Sequence, residues 1–148
     1  MFSKSLVIFA AIGVLAGLGY GMYLIDFKTT SQLVYVEGPS ISIVTEKFDF
    51  KLGEEINIRI INSGTIPIIF SDDSHGLRIT GLSGILMFSP NASGVISTLH
   101  PGGEISFLWN QIKNDGDTAL EGLYKISVKG LDEQGNTIEK STTVAIWK

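Results

Sequence analysis

The sequence predicts an all-β fold, an antiparallel β-sandwich, preceded by one transmembrane α-helix. Three observations predict it. An uncharged run of twenty residues, LVIFAAIGVLAGLGYGMYLI, fills Leu6–Ile25. Beyond it, short β-type runs alternate with breaks rich in Gly, Asn, Asp and Pro. No later segment carries a 3.6-residue apolar period long enough for a globular helix.

At about 1.5 Å per residue, a twenty-residue helix covers roughly 30 Å, the hydrocarbon core of a bilayer. The run exceeds the roughly 7–15 apolar residues of a signal-peptide h-region, and the bulky YGMYLIDF offers no small-x-small cleavage site. The expectation is an uncleaved signal anchor. It divides the chain into a cytoplasmic tail at 1–5, the transmembrane anchor at 6–25, a polar spacer at 26–39 and the β-sandwich at 40–148. Lys4 precedes the helix, while Asp26 and Lys28 come after it. A short amino-terminal tail stays inside, and the downstream domain is exported. The expected address is the cell membrane, single-pass, with the domain extracytoplasmic. An Asn-Ala-Ser sequon at Asn91 is a candidate glycosylation acceptor, usable only on an exported domain, and such three-residue matches are common by chance. Within the helix, Gly13, Gly17 and Gly21 recur every four residues. One small-residue face would let two backbones approach and allow homo-oligomerisation through the membrane helix; the plainer reading is that Gly is simply frequent in such helices.

Composition narrows the rest. The 148 residues hold no Cys, which removes disulfides, thiolate nucleophiles and Cys-bound metals together. About 115 exported residues suffice for a core of their own. Fifteen acidic residues face eleven basic ones, and no Lys/Arg cluster is interleaved with aromatics, so no nucleic-acid partner is expected. The mean hydropathy of +0.28 reflects the apolar front of the chain.

The β-type runs are SISIVTE, EINIRIIN, IPIIFS, GLRIT, GILMFS, GVISTLH, EISFLWN, LYKISVKG and TIEKSTTVAIWK. Ile56, Ile58 and Ile60 point one way, with Asn57 and Arg59 between them. Tyr124, Ile126 and Val128 alternate with Lys125 and Ser127. This period of two marks half-buried strands. Their spacing predicts a sandwich of the immunoglobulin-like kind, with a small barrel as the competitor. In GILMFSP, Leu86, Met87 and Phe88 read as core rather than as a partner surface.

The stretch FLWNQIKNDGDTALEGLYKIS, Phe107–Ser127, raises the question of a site, and it reads as an architectural corner instead. An EF-hand pattern fails, because Lys113 stands where an oxygen ligand is required before Gly116. Asn114, Asp115 and Asp117 read as a turn rather than a loose cation site. Trp109 ends an apolar run and suits the space between sheets. Gly122, Tyr124 and Ile126, two apart, have the spacing of a tyrosine corner, whose hydroxyl bonds back to the preceding backbone.

The order F-x-x-GEE-I-x-I-x-I-x-N-x-G-x-x-P-I-x-F, then ISTLHPGGEISFLWNQ, then NDGDTALEGLYKI, resembles the BsuPI-type intracellular proteinase inhibitor domain over about Glu46–Lys148. Leu99, Pro101, Gly102 and Glu104 match that family's Leu-x-Pro-Gly-Glu, with Gly103 extra. Trp109 and Gln111 match its Trp-x-Gln, and Gly122 and Tyr124 its Gly-x-Tyr. The resemblance implies the sandwich fold and, more weakly, protease inhibition. This chain departs from the cytoplasmic namesake in its anchor, and no inhibitory loop carries over residue by residue. The layout of one membrane helix and one sandwich also resembles stator-like components of the archaeal motility filament.

Catalytic chemistry has little support. SDDSHG places Asp72, Asp73, Ser74 and His75 side by side, whereas a triad assembles distant residues. His75, His100 and a carboxylate have no zinc-site spacing. HPGGE precedes a strand, so its glycines serve a turn. The expectation is therefore no enzyme, no cofactor and no metal. It is a binding or scaffold module of the cell envelope whose partner is a protein, either an envelope component or a protease.

Overall fold

The computed structural model describes residues 4–30 and 33–148, with the side chains of 24–30 left aside. The start of the expected tail and spacer residues 31 and 32 lie outside the described residues. The chain forms two compact units, Met1–Gln32 and Leu33–Lys148.

In the first unit, α1 runs Lys4–Thr30 and so continues past the uncharged run. Its Lys4–Tyr23 stretch is long and apolar enough to cross a membrane, a property that an anchor and a signal sequence share. Gly13, Gly17 and Gly21 lie on it, and a Cβ added at any of them meets open space.

The second unit is built from β1 (Ile41–Thr45), β2 (Asp49–Lys51), β3 (Ile56–Asn62), β4 (Ile68–Phe70), β5 (Arg78–Gly81), β6 (Leu86–Phe88), β7 (Ser97–Leu99), β8 (Glu104–Trp109), β9 (Gly122–Leu131) and β10 (Thr137–Trp147). Two sheets result. The smaller runs β1-β3-β8. The larger runs β2-β10-β9-β4-β7, with β5 paired to β9 and β6 to β5. β9 is long because it serves β10 along one edge and both β5 and β4 along the other.

One strand escapes the sequence reading. In β2 only Phe50 is buried, between exposed Asp49 and Lys51. Three residues are too few to display a period. β2 joins β10 in parallel, Ala145 opposite Asp49 and Trp147 opposite Lys51. The expected antiparallel arrangement is thereby corrected: the larger sheet is mixed.

The two sheets share one core. Ile41, Ile43, Ile56, Ile58 and Ile60 enter it from the small sheet, and Phe70, Ile79, Ile126, Val128 and Ile146 from the large one. Ile56, Ile58 and Ile60 have no exposed surface. Burial of each such side chain stabilises the fold by about 1.5–3 kcal/mol. Asn62 is buried at the end of β3 with its amide fully used. Nδ2 donates to the Ile66 and Leu99 carbonyls at 2.9 and 2.8 Å, and Oδ1 accepts from Gly64 N at 3.0 Å. A Cβ on Gly64 would stand 2.1 Å from the Gly38 carbonyl oxygen, so this close crossing requires glycine. Among the described residues no buried side-chain polar atom lacks a partner.

Candidate functional site

Three places hold the polar residues from which a site could be built. The first is the Phe107–Ser127 stretch. Trp109 ends β8 with no exposed surface. Its Nε1 donates to the Ile112 carbonyl at 3.0 Å, and its ring meets Tyr124 edge-on at 5.6 Å and Phe88 in a stack at 6.2 Å. Tyr124 Oη donates to the Leu120 carbonyl at 2.7 Å. Ile126, two residues on, is fully buried, while Gly122 opens β9 at φ +147°. Phe88 and Met87 pack against the core, whereas Leu86 is 41% exposed.

Gln111 stands in the sequence as a motif position without a role, and the structure supplies one. It has φ +62° and no exposed surface. Its Oε1 accepts from Gly53 N at 2.8 Å, and its Nε2 donates to the Lys51 and Glu54 carbonyls, each at 2.8 Å. One amide thus clasps the turn after β2. Beyond it, Ile112 bridges Thr118, and the turn is internally paired. Lys113 Nζ lies 3.3 Å from Asp115 and 3.7 Å from Asp117. Asp115 also accepts from Asp117 N at 3.0 Å, the chief reason its carboxyl sits below the ordinary range. A cation already occupies this loop's carboxylates, and it is a lysine.

The second place is the loop between β4 and β5. Asp72 Oδ1 accepts from the Ser74 amide at 2.9 Å and from the Ser74 hydroxyl. Asp73 accepts from Ser93 N and Oγ, both at 2.7 Å, and these bonds hold its carboxyl below the usual range. His75, at φ +51°, is 7% exposed. Its ring sits 4.9 Å from Phe70 and 5.9 Å from Phe107. Nδ1 is 2.9 Å from the Asp73 carbonyl, which can only accept, so Nδ1 donates to it. Nε2 then faces Ser97 Oγ at 3.2 Å, and that hydroxyl is also 3.2 Å from the Asp72 carbonyl. A serine and a histidine do meet here, but a backbone carbonyl fills the place an acid would take, and the ring is wedged between two phenylalanines. The geometry ties the loop to β7. Asn91 is exposed in the segment leading to β7, and the hydroxyl of its sequon residue Ser93 is the one bound to Asp73. Among the described residues no group of three or more His, Cys, Asp or Glu stands close enough to hold a metal ion.

The third place escapes a reading of the sequence. On β9, Lys125, Ser127 and Lys129 alternate with core residues and face outward. The register sets Arg78 opposite Ser127 and Thr80 opposite Lys125 on one side, with Glu139 opposite Lys129 on the other. Gly76 presses against this strand: its Cβ would stand 2.1 Å from the Lys129 carbonyl oxygen. Two shallow depressions of about 420 and 340 Å³ result, and they share Gly76, Arg78 and Lys129. Together they form a trough across the outer face. Arg78, Lys125 and Lys129 make no ion pair among the described residues. The available signal was the Lys-x-Ser-x-Lys alternation; only strand pairing adds Arg78 to it.

No protein-family model matches this chain, and no curated protein does. Solved structures give distant likenesses. PorZ, a surface component of the type-IX secretion system of Porphyromonas gingivalis, is 14% identical at a TM-score of 0.38, over 72% of this chain and 11% of that one. The sporulation control protein Spo0M of Bacillus subtilis is 12% identical at 0.43, over 76% and 51%. A β-glucosidase of Listeria innocua is 10% identical at 0.34, over 74% and 16%. The chain therefore spans about half or less of each of these proteins. At such scores the likenesses carry no functional argument.

Proposed function

We propose that this protein is a membrane-anchored, non-catalytic binding or scaffold module of the cell envelope, an immunoglobulin-like sandwich held outside the cytoplasm by α1. One observation carries the reading: the polar clusters that invite a catalytic or metal-binding role are spent on the fold itself. Gln111 clasps a turn, His75 ties a loop to β7, and Lys113 neutralises its own acidic turn. What is left for recognition is surface on a body with its own core. The immunoglobulin-like type is supported by the Tyr124 to Leu120 bond beside buried Trp109. The resemblance to the BsuPI-type domain belongs to the same proposal at the level of fold. Its matched residues, Trp109, Gln111, Gly122 and Tyr124, lie in this framework, so they favour shared architecture over shared inhibition.

The test is a crosslinked pull-down from native membranes, with the full-length chain and with Leu33–Lys148 alone. An envelope protein captured by the anchored chain supports the module. Stoichiometric capture of one protease by both forms would replace it with an inhibitor.

A further inference from the structure

The trough lies on a broad sheet face that the core does not use. Along β9 the outward residues read Leu123, Lys125, Ser127, Lys129 and Leu131, cations bracketed by exposed aliphatics. At about 3.3 Å per residue, Lys125 and Lys129 stand roughly 13 Å apart, with Arg78 on the neighbouring strand between them. Three such cations on a chain of net charge −4 are a local reversal of sign. Beside them the β5–β6 turn, closed by Gly81 N to the Ile85 carbonyl at 3.0 Å, carries Leu82 at 68% and Ile85 at 63% exposure. Leu82 itself lines the trough.

We propose that this face binds the surface of an anionic bilayer, Arg78, Lys125 and Lys129 meeting lipid phosphates while Leu82 and Ile85 enter the interfacial layer. The three cations line one open depression, and the spacing of roughly 13 Å between Lys125 and Lys129 along the strand suits a plane of headgroups better than a single phosphate. Aliphatic tips beside cations are the combination that interfacial binding uses. No aromatic lines the trough to stack on a sugar ring or a base. The same chain also carries a helix long and apolar enough to cross a membrane. The proposal rests on the anchored reading only for the presence of a bilayer nearby; the binding belongs to Leu33–Lys148, whose core cluster runs from Ile41 to Ile146.

Leu33–Lys148 is sedimented with vesicles of phosphatidylcholine alone and of phosphatidylcholine mixed with phosphatidylglycerol, at low and high salt. Binding is expected only to the anionic vesicles and weakens as salt rises. Each cation removed costs roughly fivefold, so Arg78→Gln/Lys125→Gln/Lys129→Gln loses on the order of 100-fold. Glu139→Gln, which removes an acid lining the trough, strengthens binding. Leu82→Ser/Ile85→Ser weakens vesicle binding and leaves affinity for soluble polyphosphate unchanged. Melting curves of these surface variants verify that they fold. The proposal is overturned if the domain ignores anionic vesicles, if it binds polyphosphate but not vesicles, or if Lys51→Gln/Lys140→Gln/Lys148→Gln costs as much as the trough variant. Any of these results leaves the pull-down outcome for the anchored module standing.

Discussion

The two faces of β9 belong to one strand and obey opposite rules. Inward, Tyr124, Ile126 and Val128 are buried and fixed by packing against the small sheet. Outward, Lys125 and Lys129 make no ion pair among the described residues and are placed by pleat and register, while Ser127 adds one long bond, 3.4 Å, to the Arg78 carbonyl. The inner face says which fold the chain adopts. The outer face is where a sequence can change its partner without losing that fold. The polar residues that attract the eye in the sequence stand mostly with the first group.

Substitutions on the two faces should separate sharply. Trp109→Ala removes the largest fully buried side chain, with two ring neighbours and an indole bond. It should cost about 3–5 kcal/mol in denaturant unfolding, among the largest single effects in the domain. Gln111→Ala leaves one amide and two carbonyls of the β2 turn without their buried partner. A loss of about 2–3 kcal/mol is expected in the same experiment; an effect near zero would mean that water replaces the clasp. Tyr124→Phe keeps the ring packing and deletes only the bond to Leu120, so about 0.5–1.5 kcal/mol is expected. On the outer face, Lys129→Gln should stay within about 0.5 kcal/mol of the parent. A large loss there would erase the contrast between the faces.

Acid should act through the hydrogen bonds inside the turns. Asp132 accepts from the Asn136 side chain and from the Asn136 and Gln134 amides, with the Asn136 side chain the first cause of its lowered pKa. Asp73 is lowered by Ser93, and Glu54 chiefly by its bond to Lys47. Carboxyls lowered in the folded state bind fewer protons than in the unfolded state, so stability rises with pH across their titration. It is fully present above the ordinary carboxylate range and is lost as pH falls through the lowered values. Thermal melts should therefore be flat near neutrality and decline below about pH 4. A decline that begins at about pH 6 would contradict this account, because it lies above the carboxylate range.

Much of the domain was legible because burial writes a period into the chain. The alternation in INIRII and YKISV located β3 and β9 with their inward faces. Nothing local announces β2, whose one buried residue and parallel partner near the carboxyl terminus are tertiary facts. Gln111 was visible only as a motif position, since its value lies in meeting a turn that is distant in the chain. The trough was hidden for the same reason: Arg78 and Lys129 share a surface only after β5 pairs with β9.

Whether α1 holds the domain at a membrane is decided by alkaline carbonate extraction of membranes from cells making the full-length chain, with the mass of the retained species. An anchored module gives an intact 16.0 kDa chain in the membrane pellet. A shorter, soluble species cut near the end of α1 would contradict that reading, making the helix a signal sequence and the β domain a free secreted one.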